Sequence, residues 1–323
     1  MEPRYDVFNG DADGICALLQ LRLANPVHSS LVTGVKRDIE LLQQVPTDTP
    51  ATVTALDISL DKNRNAVDAL LTAGSTVFYC DHHHPGDSLP DHPNFTGLID
   101  TNAATCTSLL IDQHLKGQFH NWAITAAFGD NLNSVASKLA VEAGLDEQQT
   151  EGLKQLGICI NYNGYGSSLQ DLHFHPADLY QALLAYPDPL QLLVDKPAAW
   201  QKLSDGYRED MAKGLGTPAL HHCEQAIVVQ LPDEPWARRV SGVLGNDLAN
   251  QYPEQACAVV TNAEPGFYLI SIRAPLNNRT GADELARQFP SGGGRKAAAG
   301  INKLPSDQLD TFIQAMVRQW QKQ

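Results

Sequence analysis

The chain has 323 residues, 43% of them hydrophobic, and a formal net charge of −14. No apolar run approaches the roughly 20 residues that a membrane span needs. Residues 1–223 carry 13 Lys and Arg against 27 Asp and Glu, whereas residues 224–323 carry 10 against 10, which argues against a protein gripping long duplex nucleic acid through many phosphates.

The first 80 residues alternate short β-like runs with helical ones. YDVF leads to a helix over GICALLQLRLA, SLVTGV to one over RDIELLQQV, and ATVTALDIS to one over NRNAVDALLTA, while STVFYC ends at His82, His83 and His84. This order predicts an α/β fold with a parallel, doubly wound sheet. From about Thr105 to Cys159 the period turns helical, through TSLLIDQHL, AITAAFGD, SVASKLAVEAG and QQTEGLKQLGICI, and these helices should cover the sheet. NYNGYGSSLQDLHFHPADLY reads as turns, with a helix restarting after Pro176. The expected division is a first domain over 1–190, a helical connector over 191–222 and a smaller α/β domain over 223–323. In the last, EQAIVVQLP, QACAVVTN and FYLISIR read as strands, and ARRVSGVLGNDLANQ, TGADELARQF and SDQLDTFIQAMVRQWQ as helices.

Six scattered cysteines form no CxxC pair, so reduced core thiols are expected, and MEPRYDVF has no signal-peptide pattern, which points to a cytoplasmic protein off the membrane. The chemistry gathers at strand ends. Asp11 and Asp13 sit in a D-x-D-G turn, Asp57 follows VTAL, and Asp81 opens the DHHH run after VFYC. In an open parallel sheet such positions converge on one crevice, and carboxylates mixed with imidazoles suit a manganese-like ion. Each aspartate alone has a structural reading, as a turn residue or a helix cap. Three consecutive histidines are harder to place without exposure or a ligand. His173, His175, Tyr162 and Tyr165 read as structural, and His221 and His222 as linker residues.

In this order, DADG, ALDIS, DHH and AAFGDN, followed by GGGRKAAAG, resemble the motifs of the DHH phosphoesterase superfamily and its DHHA1 substrate-binding domain. That superfamily includes RecJ-type exonucleases, nanoRNA and pAp phosphatases, and cyclic di-AMP phosphodiesterases. The resemblance implies an active site in the interdomain cleft. It implies that Asp13, Asp57, His82 and Asp130 ligate one metal, with Asp57 bridging toward a second near Asp11. One or two Mn2+ ions, or Mg2+, would be the cofactor. Asp57 and His83 would be catalytic, His83 facing the scissile phosphate, and Asp81 would orient a neighbouring histidine.

Two departures stand out. The family's first motif carries a histidine where this chain has Val7, so that metal lacks an imidazole, and Asn9 or water would have to fill the gap. Arg295 replaces the histidine of the GGGH motif. With Gly292, Gly293 and Gly294, whose amides could approach an anion ahead of a helix N-terminus, and with Arg273 and Arg279, it forms the expected substrate contacts. The function expected is a metal-dependent phosphoesterase acting on a small nucleotide or short oligonucleotide. The alternatives are a nucleotide-binding protein with a degenerate metal site and a pyrophosphatase-like hydrolase. The oligomeric state stays open, a homodimer among the options.

Overall fold

The computed structural model describes residues 2–321 and separates into two units between Asp205 and Gly206. In the first, strands β1 (Arg4–Phe8), β2 (Ser30–Val32), β3 (Thr52–Leu56), β4 (Thr76–Asp81) and β5 (Phe95–Ile99) form one sheet in the order β2-β1-β3-β4-β5, with every neighbouring pair parallel. The central strands β1, β3 and β4 bury most of their residues, as parallel strands covered on both faces do, and their runs are mostly apolar. Val7, Val53, Ala55, Val77 and Tyr79 are fully buried in one cluster with Val67 and Leu70 of α2 (Leu60–Thr72).

Helix α1 (Ala12–Ala24) buries Ile15 through Gln20 without a break. It packs against α3 (Thr107–His114) and α4 (His120–Gly129), so it has no solvent face to keep polar. Helices α5 (Asn133–Glu142) and α6 (Glu147–Gly164) follow, α6 starting with a reciprocal capping box between Asp146 and Gln149. A Cβ on Gly157 would lie 2.0 Å from Thr125 O, so glycine there lets α6 close onto α4. Helices α7 (Pro176–Leu184) and α8 (Pro189–Asp195) each open with proline in the first turn, and α9 (Ala198–Leu215) runs through the boundary between the units.

The second unit holds β6 (Ala219–His222), β7 (Ala226–Gln230), α10 (Pro235–Gln251), β8 (Ala256–Glu264), β9 (Phe267–Arg273), α11 (Ala282–Ala286), β10 (Gly292–Gly294), β11 (Ala298–Pro305) and α12 (Leu309–Gln319). Its sheet order is β10-β11-β9-β8-β7-β6, parallel only between β7 and β8.

Several expectations need correcting. RDIELLQQV forms only a 3-10 turn over Leu41–Gln44, because Pro46 stops it and the Asn63 side chain takes the Leu42 N–H and the Ile39 carbonyl. The edge strand β5 carried no clear alternation. His221 and His222 belong to strand β6, not to a linker. The glycine run leads into β11 and not into a helix, because Ala298, Ala299 and Gly300 are small enough to lie between β9 and β10. A helix dipole therefore has no part in anion binding there. Among the described residues, no helix is long and apolar enough to cross a membrane.

Candidate metal centre

The sheet order reverses between β1 and β3, and the residues just past their carboxyl ends share the crevice that such a reversal opens. Asp11 ends the turn after β1 and caps α1, accepting the N–H groups of Asp13 and Gly14. Asp57 follows β3 with φ of +57°, a left-handed conformation that few residues other than glycine hold, and aspartate is among them. Its N–H donates to Cys80 O at 3.0 Å. Such local strain at a strand end fits a side chain aimed for function.

Asp13, Asp57 and His82 meet in buried space, at 1%, 2% and 7% exposure. His82 Nδ1 donates to Thr105 O at 3.2 Å, since a carbonyl can only accept, and this turns Nε2 toward the carboxylates. Nε2 stands 3.4 Å from Asp57 Oδ1 and 3.8 Å from Asp13 Oδ2. The start of α3 holds the two carboxylates in place. Ser108 and Thr107 N–H groups donate to the two oxygens of Asp13 at 2.7 and 2.8 Å, and Thr107 Oγ1 donates to Asp57 at 3.1 Å. Burial, then the carboxylates of Asp13 and Asp11, push the Asp57 carboxyl well above its ordinary value. Two carboxylate oxygens and one imidazole nitrogen thus face one another, and a divalent cation would favour the charged form of both carboxylates. The donor set fits an ion of the manganese or magnesium class.

Asp57, His82 and His83 each offer a ligand atom within 4.8 Å of the others. His83 Nδ1 lies 3.9 Å from Asp57 Oδ1 and already donates to Asp81 Oδ1 at 2.7 Å, so Nε2 is left to face a ligand. Burial opposes the charged ring, but the Asp81 hydrogen bond and the charges of Asp81 and Asp57 outweigh it and raise the His83 pKa. Asp81 also accepts the His82 N–H at 2.9 Å, while its second oxygen is buried without a hydrogen bond. His84 is exposed and only closes a turn to Gly86.

The Asp11 side holds a residue that the sequence reading missed. Lys36 Nζ reaches Asp11 Oδ2 at 2.5 Å, Asn161 Oδ1 at 3.0 Å and Asp130 Oδ1 at 3.9 Å. Burial works against the Asp11 carboxylate, yet the Lys36 charge and hydrogen bond bring it down to about 2. Asp130 is placed beside this ammonium. Asn9 donates to the Lys36 carbonyl at 3.2 Å. The only signal for Lys36 was one cation after a strand-like run, in VTGVK.

In the second unit, Arg273 donates to Asn246 Oδ1 at 2.6 Å and to the carbonyls of Ile272 and Gly242. Arg279 and Arg295 are exposed, and the Arg295 N–H donates to Ala298 O. Tyr162 lies in α6 and its hydroxyl meets His173 Nε2 at 2.7 Å, while His175 caps α7, so these three have structural partners.

Residues 224–323 match the family model described as DHHA1 domain. No curated protein matches the sequence. In structure the chain is similar to the pGpG-specific phosphodiesterase PggH of Vibrio cholerae, with 14% identity over 99% of both chains and a TM-score of 0.56. It is also similar to manganese-bound RecJ of Thermus thermophilus, with 17% identity over 98% of this chain and 51% of that one, and a TM-score of 0.60. A second manganese-bound RecJ exonuclease matches with 18% identity over 98% of this chain and 89% of that one, at 0.50. The chain spans about half the length of the Thermus RecJ. Residues 224–323 thus match the DHHA1 domain, and the chain as a whole shares the α/β fold of the PggH and RecJ structures.

Proposed function

We propose that this chain is a metal-dependent phosphoesterase that hydrolyses a phosphodiester or phosphomonoester of a small nucleotide or short oligonucleotide. One observation carries the reading: Nε2 of His82 and the carboxylates of Asp13 and Asp57 converge in a buried pocket at a sheet switch point. A divalent ion there, Mn2+ or Mg2+, would supply Lewis-acid chemistry, lowering the pKa of a water and offsetting phosphate charge.

The protein's own groups do the rest. The α3 amides and Thr107 fix Asp13 and Asp57, so neither carboxylate must reorganise as charge builds on phosphorus. His83, backed by Asp81, keeps a proton available on Nε2 for a phosphate oxygen or the leaving group. In the DHHA1 domain, Arg279, Arg295 and the Gly292–Gly294 backbone are our candidates for an anionic part of the substrate, with Arg273 bracing β9 against α10. The acid excess before residue 224 and the fold shared with a pGpG phosphodiesterase support short substrates.

The test is turnover with Mn2+ of pApA, pGpG, pAp, cyclic dinucleotides, oligonucleotides of two to twenty units, and pyrophosphate. Metal-dependent hydrolysis that favours the shortest nucleotides supports the proposal. Binding without turnover would leave a nucleotide-binding protein, and preference for pyrophosphate a different hydrolase.

A further inference from the structure

We propose that the Lys36 ammonium takes the place of one of two metal ions, so that the chain works with a single divalent cation held at Asp13, Asp57 and His82. The inference rests on the metal-dependent reading above and concerns the other half of the same site.

Lys36 Nζ is a compact cation with three donors, and the groups around it are those expected of an oxygen-rich metal shell: Asp11 at 2.5 Å, Asn161 at 3.0 Å and Asp130 at 3.9 Å. A dication placed against Asp11 would meet the ammonium at contact distance, with little water to screen two like charges. The lysine is fixed there by more than its charge. Its N–H donates to Gly164 O at 2.8 Å, its carbonyl accepts the Asn9 amide, and its Nζ lies 5.4 Å from the centre of the Tyr165 ring.

Two glycines make room for this approach. A Cβ on Gly10 would lie 2.0 Å from Gly34 O, and one on Gly164 would crowd the Asp11 Cα at 3.1 Å, so the lysine loop, the Asp11 turn and the end of α6 close together only without those side chains. Val7 completes the picture. At the position where the resemblance calls for an imidazole, it is fully buried in the core beside the sheet. With no ligand atom at Val7, the Asp11 charge is met by the Lys36 ammonium, a protein-borne charge in place of a bound one.

The test is the count of Mn2+ ions bound per full-length chain, by titration calorimetry and by the electron paramagnetic resonance of free Mn2+. The wild type should take up one ion, lost in Asp57→Asn, and Lys36→Ala should take up a second. If Lys36→Ala does not fold, Lys36→Gln carries the same expectation. Two ions in the wild type, or only one in a folded Lys36 variant, would overturn the role of Lys36 and leave the metal centre standing. A wild type that takes up none would overturn the metal centre and this inference with it.

Discussion

His82 Nε2 faces Asp57 Oδ1 across 3.4 Å, in a buried pocket that disfavours a charged carboxylate at Asp57. The fold imposes this contact, since Asp57 is held in a left-handed backbone by the neighbouring strand and His82 is turned by Thr105. Asp57→Asn should therefore stabilise the metal-free protein, by about 1–3 kcal/mol, because the amide removes a buried charge and can donate to His82. Asparagine also tolerates positive φ. The same change should abolish Mn2+ binding and turnover. Urea denaturation in chelator decides it, and a lower midpoint for the variant would show that burying the Asp57 carboxyl carries no such cost.

Adjacent glycines in β10 should behave differently. A Cβ on Gly292 would fall 1.8 Å from Ala286 O, whereas one on Gly293 meets nothing within 4 Å. Gly292→Ala should lower the melting temperature by several degrees, and Gly293→Ala should leave stability within about 0.5 kcal/mol of the wild type. If Gly293→Ala still raises KM, the backbone at that point touches substrate. Equal melting curves for the two variants would refute the close approach.

All six cysteines are free, and only Cys223 is partly exposed. Burial holds the Cys159 and Cys257 thiols up at about 12 and those of Cys16, Cys80 and Cys106 well above their usual value. Ellman's reagent should thus modify Cys223 in the native protein and the other five after unfolding. Fast reaction of a second thiol under native conditions would contradict this packing.

His120 Nδ1 pairs with Asp112 at 2.7 Å, and that hydrogen bond raises the histidine pKa above 6.5 against a partial burial penalty. A raised folded value means that the pair contributes fully below pH 6.5 and fades as pH climbs through the raised pKa. His120→Gln should lower the melting temperature at pH 5.5 and change little at pH 9. A larger loss at pH 9 would reverse the sign and exclude the pair as the cause.

How much of this was legible in the sequence differs from residue to residue. Asp11, Asp13, Asp57 and the histidine run could be read because strand ends of a parallel sheet share a crevice, so local pattern implied convergence. Lys36 could not, since a lone lysine after a strand-like run is common and its partner Asn161 lies 125 residues away. Strand β5 hid because an edge strand with half-exposed residues has weak alternation. The alanines of β11 favour helix in isolation, and only the neighbouring strands, β9 and β10, decide otherwise.

The α3 amides clasp Asp13 across 94 residues, and Lys36 reaches Asn161 across 125. Contacts of that span close late in folding, because long loops must be ordered before they are rewarded. If the proposed metal centre binds its ion, uptake would mark the final step of assembly in residues 1–205, and during refolding it should lag the return of helical signal. A chain stalled with its helices formed would remain metal-blind.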